Sequence, residues 1–78
     1  TNFELNGNAR LVDINEKLQI NLVSEDNETI NGWFCEQLGT LPEIGNKLSF
    51  SGWIFTVTEV SKNMATKISV EAEEEGTL

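Results

Sequence analysis

Seventy-eight residues make one domain and leave no room for a second, and a chain this short buries only about 60% of the surface its unfolded form exposes. Thirteen acids against five bases give a net charge of -8, which excludes nucleic acid and an anionic leaflet as partners, since both need clustered Lys and Arg. With Cys35 the sole cysteine and histidine absent, there is no internal disulfide, no thiolate metal cluster, and no Ser-His or Cys-His dyad.

Apolar residues, 38% of the chain, are spread along it as in a folded domain. No apolar run approaches the roughly 20 residues that span a bilayer, so a soluble domain is expected. The chain begins at Thr1 with no signal peptide ahead of it, and it reads as a piece of a larger protein.

Phe3-Glu4-Leu5 alternates as a short strand and runs into the turn signal Asn6-Gly7-Asn8. Ala9 to Val12 reads as a second short strand. Asp13 stands at a helix N-cap position, with Glu16 completing a capping-box spacing, and Ile14 and Leu18 then share one helical face. The polar stretch Ser24 to Glu28 reads as a loop. Thr29 caps a second helix in which Ile30, Trp33, Phe34 and Leu38 form the apolar stripe, and Gly39 ends it. Gly32 within that helix costs about 1 kcal/mol relative to Ala, so a close neighbour is expected there.

Leu41-Pro42-Glu43-Ile44-Gly45-Asn46 is a rigid connector, with Gly45 expected at positive φ. The remainder alternates as strands separated by turns at Ser51-Gly52 and Ser61-Lys62-Asn63. Leu48, Phe50, Trp53, Phe55, Val57, Ile68 and Val70 point inward, whereas Ser49, Ser51, Thr56, Thr58, Lys67, Ser69 and Glu71 point outward. The expected fold is α+β, a mainly antiparallel sheet of about five strands with two helices on one face, in the order strand-strand-helix-helix-strand-strand-strand. The domain is expected over residues 1–72, with 73–78 a flexible acidic tail.

No candidate site outweighs its structural alternative. Glu25-Asp26-Asn27-Glu28 offers oxygen ligands without EF-hand spacing and reads as a solvated loop. The glycines match no phosphate-binding motif and read as turn and cap residues. Trp33 and Trp53 fall on the apolar faces and read as core. Cys35 has no basic neighbour in sequence to activate it and reads as an inert thiol. No catalytic or metal-ligating residue is therefore assigned, and the chain is not expected to be an enzyme.

One family pattern matches nearly the whole chain. Ala9-Arg10-Leu11-Val12-Asp13-Ile14-Asn15-Glu16, the T-x-x-G helix from Thr29 to Gly39, the G-x-[IL]-P-x-x-G connector from Gly39 to Gly45, and the strands Phe55-Thr56-Val57 and Lys67-Ile68-Ser69-Val70 resemble, in order and spacing, the CorC/HlyC transporter-associated domain. Asn46 stands where that family usually has Asp, and Trp33-Phe34 is bulkier than its usual aliphatic pair. The resemblance implies a non-catalytic accessory domain at the cytoplasmic C-terminal end of a hemolysin-like or magnesium/cobalt-efflux membrane protein. The CBS pair and transmembrane domains of that parent would be its partners. The family's fold has been likened to a flavin-binding domain, so an FAD or adenine-nucleotide binding module is the alternative reading, although fold does not carry function.

Overall fold

The computed structural model describes residues 2–73, and the rest of the acidic tail expected over 73–78 lies outside them. Six elements follow in chain order: β1 (Asn2–Asn6), α1 (Leu11–Leu18), α2 (Ile30–Leu38), β2 (Lys47–Phe50), β3 (Trp53–Ser61) and β4 (Met64–Ala72). The strands form a single antiparallel sheet in the order β1-β4-β3-β2. The chain is thus the α+β fold its pattern predicts, with four strands where about five are expected.

The difference lies at Ala9 to Val12. This run is not a strand, because α1 already begins at Leu11, and only Arg10 makes an isolated antiparallel bridge, to Thr29. A short apolar-polar run fits either a strand end or a first helical turn, and burial decides between them. In a helix Leu11, Ile14 and Leu18 share one face, and all three are buried. Asp13 is correspondingly not the N-cap but a first-turn residue. Arg10 takes the cap position without a side-chain hydrogen bond. No such cap is needed for the Leu11 amide, which donates to the Glu28 carbonyl at 2.8 Å.

Helix α2 follows its sequence signals closely. The Thr29 hydroxyl accepts from the Gly32 amide at 3.2 Å, and Gly39 closes the helix at φ 74. Ile30, Trp33 and Phe34 are buried, and Leu38 is half-buried against the same core.

Cross-strand register places Phe3 beside Val70, Leu5 beside Ile68, Leu48 beside Phe55, and Val57 beside Ile68. These side chains share one face of the sheet and pack in the same cluster as Ile14, Leu18 and Phe34, so both helices cover that face. Trp33 joins the layers, its ring 5.7 Å from Phe50 and 5.6 Å from Phe55. The opposite face is polar. There Glu4 reaches Lys67 at 3.9 Å and accepts from the Thr58 hydroxyl at 3.3 Å.

Both predicted hairpin turns are two-residue loops with positive φ at each position, Ser51-Gly52 and Lys62-Asn63. Gly45 has φ 97, as the connector pattern predicts. It occupies the third position of a turn in which the Asn46 amide donates to the Glu43 carbonyl at 3.1 Å. Alternation breaks once. Register shifts around Glu59 leave Thr58 and Thr66 without opposite partners, so Val60 and Ala65 rejoin the core face three residues beyond Val57 and Ile68.

Candidate functional site

The segment between the two helices is held by side chains rather than by regular structure. Helix α1 ends at Gln19 in the left-handed conformation (φ 58), which turns the chain back along the helix it has left. Asn15 then clasps that return. Its Nδ2 donates to the Leu22 carbonyl at 3.0 Å and its Oδ1 accepts from the Leu22 amide at 2.7 Å. Leu22 is thereby pressed into the core at 3% exposure while its neighbour Val23 stands 62% exposed.

A second set of contacts anchors the loop to α2. The Ser24 hydroxyl donates to a Glu36 carboxylate oxygen and accepts from the Asn27 amide at 3.1 Å. Asn27 Nδ2 donates to the same Glu36 oxygen at 3.0 Å. The close neighbour expected at Gly32 is Asn27, whose Cβ and Cγ would lie 2.6 Å from any Cβ added to that glycine.

These restraints frame a cleft of about 370 Å³ between α1 and the loop. Leu11 and Leu22 form its buried part, Val12 and Val23 are its exposed rims, and Arg10 and Glu28 also line it. Its amide and hydroxyl groups are largely committed to one another, so it offers contact area rather than a reactive group.

Of the residues singled out in the sequence, Asn27 and Glu28 line this cleft, whereas Trp33, Trp53 and Cys35 do not. Among the described residues, no three acids or cysteines converge as a metal cage, and the run Glu25 to Glu28 is exposed except at Asn27, which turns inward to α2. Trp33 is buried, and half-buried Trp53 packs edge-on against Phe3 with ring centres 6.2 Å apart. Cys35 lies 3.6 Å from Asn31 Oδ1, and burial pushes its thiol up, away from the reactive thiolate. A second cleft of about 390 Å³, lined by Asn8, Glu59, Met64 and Lys67 among others, lies beside the β3-β4 bulge. Its Glu59 already accepts from the Thr66 hydroxyl at 2.8 Å.

Two asparagines carry more structure than their sequence context announces. Asn15 makes the clasp, and Asn31 Oδ1 accepts from the Ala65 amide at 2.7 Å, tying α2 to β4. Their one local signal is that Asn inside a helix is unfavourable unless its side chain finds a specific partner.

The model of the transporter-associated domain CorC_HlyC matches residues 1–74. A curated protein of Haemophilus influenzae named "UPF0053 protein" is 33% identical over 66 residues, which is 85% of this chain and 16% of that protein. The chain thus spans a small part of that relative's length. A solved conserved protein of unknown function from Haemophilus influenzae Rd KW20 superposes with a TM-score of 0.80 at 31% identity, covering 91% of this chain and 88% of that one. A region from Neisseria meningitidis MC58, named for its association with a Mg2+ and Co2+ transporter, CorC, superposes with a TM-score of 0.84 at 25% identity, over 91% and 88% of the two chains.

Proposed function

The chain belongs to the CorC_HlyC family of transporter-associated domains, and on that premise we propose that it is a non-catalytic accessory domain that regulates an ion-transporting membrane protein. In this reading the parent is of the magnesium/cobalt-efflux or hemolysin-like kind. The domain sits at its C-terminal end on the cytoplasmic face, next to a CBS pair and the transmembrane spans.

The observation that carries the reading is the family match over residues 1–74, nearly the whole chain. Two others support it. The chain corresponds to 16% of the Haemophilus influenzae relative, as a module of a longer protein does. The cleft presents contact surface and hydrogen-bonded amides, which suits holding another protein surface better than transforming a substrate. No helix among the described residues is long and apolar enough to cross a membrane, so any ion path would run through other parts of the parent.

The test is an ion-flux titration on the full-length parent and on a form lacking this domain, with membrane abundance measured in parallel. Regulation is a coupling free energy, typically about 1–3 kcal/mol, so truncation should shift apparent ion or nucleotide affinity by roughly 5- to 150-fold at near-normal abundance. Identical flux curves at equal abundance would remove the regulatory reading, and loss of the parent from the membrane would replace it with a role in assembly.

A further inference from the structure

We propose that the cleft between α1 and the loop leading to α2 is a docking groove for a basic segment of a partner protein that also carries apolar side chains. Such a role would stand whether or not the parent moves ions. Val12 of α1 and Val23 of the loop, 59% and 62% exposed, line one cleft whose buried part is Leu11 and Leu22. An exposed valine needs no explanation by itself; two lining one groove together with Leu11 and Leu22 form a place for apolar side chains to insert.

Charge selects the occupant. Glu28 lines the groove, Glu25 and Asp26 sit between its lining residues Ser24 and Asn27, and Glu36 binds both of those side chains. Glu16 lies one helical turn from Val12 on the same face of α1. Among the described residues, Arg10 is the one basic side chain lining the groove. An apolar groove with an acidic surround fits Lys or Arg flanking the inserted side chains, and attraction of that kind steers and orients association.

Other occupants fit less well. A second copy docked two-fold on this face would bring the same acidic surround together from both sides. An anionic bilayer meets the same repulsion. A small apolar ligand would remain wet between rims this exposed, whereas small-molecule sites bury about 70–90% of their ligand.

The experiment is amide chemical-shift mapping on the isotope-labelled 78-residue chain, titrated with a synthetic peptide of alternating Lys and Leu. A Lys-Ser peptide and a Glu-Leu peptide serve as controls. Shifts are expected at residues 10–16 and 22–28 with the Lys-Leu peptide, and affinity about tenfold or more lower with either control. Val12→Ser combined with Val23→Ser removes only exposed methyls and should also weaken binding about tenfold. Glu25→Lys combined with Glu28→Lys should weaken it independently and reduce its sensitivity to salt. Equal binding of the Lys-Ser peptide, or shifts centred on the polar sheet face around Glu4 and Glu71, would overturn the proposal in favour of diffuse charge attraction. Concentration-dependent broadening at Val12 and Val23 without peptide would overturn it in favour of a second copy.

Discussion

Gly7 lies flat against the backbone of Ala65: a Cβ built on Gly7 would stand 1.8 Å from the Ala65 carbonyl oxygen. The same strip of contact carries the Gly7 amide to the Thr66 carbonyl at 2.8 Å, and the Asn31 amide to the Gly7 carbonyl at 2.9 Å. One small residue thus lets β1, α2 and β4 meet within a few ångströms.

Gly7→Ala should therefore destabilise through contact alone. The obstructing atom is backbone and cannot rotate away, so the upper end of overpacking costs, about 3 kcal/mol, is expected. Thermal unfolding should fall by about 12 °C or more in a domain of this size. A Gly7→Ala chain melting within a few degrees of the parent would show that the β1-α1 turn can move away from Ala65.

Asn15→Ala should release the loop without emptying the core. It leaves the Leu22 amide and carbonyl without their partner, at a cost of about 1–3 kcal/mol. Hydrogen exchange at the Leu22 amide should accelerate before that of β3 or β4 amides. Unchanged protection at Leu22 would mean that burial of its side chain holds the loop unaided.

Gly45→Val should destabilise by conformation rather than by contact. Nothing lies within 4 Å of a Cβ added there, yet φ is 97, which a β-branched residue does not adopt without strain. Gly45→Asn should keep more stability than Gly45→Val, since Asn tolerates positive φ. Equal melting of both variants and the parent would show the turn to be unconstrained. Asn46 bears on the same turn, because its Oδ1 accepts from the Glu43 amide at 2.7 Å. An Asp side chain offers that acceptor equally, so Asn46→Asp is expected to be nearly neutral.

FAD, ATP and millimolar magnesium should leave the melting temperature of the chain unchanged. The sequence carries no phosphate-cradling glycine motif, and no acidic triad converges among the described residues. A ligand at about 100 times its Kd adds about 2.7 kcal/mol, a rise of roughly 10 °C or more here. Such a rise with FAD would favour the nucleotide-binding reading, and one with magnesium would call for a cation site.

The features legible in the sequence are those that neighbours within one turn or one strand dictate. Thr29, the Ile30-Trp33-Phe34 spacing and Gly39 define α2 through its own caps and period. Alternation from Leu48 to Val57 assigns the buried sheet face, and Gly45 marks a turn that only positive φ can make. The order and spacing of the same segments carry the family resemblance.

Tertiary structure decided what depends on distant segments meeting. Ala9 to Val12 satisfies strand and helix patterns alike, and it becomes the start of a helix because Leu11 is then buried in the same core as Ile14 and Leu18. The Asn15 clasp, the groove it frames, the bulge that returns Val60 and Ala65 to the core, and the Gly7–Ala65 approach have no counterpart in local spacing. A period records which side of an element is apolar. Which atoms that side will touch is settled only when loops have closed and the segments compete for the same interior volume.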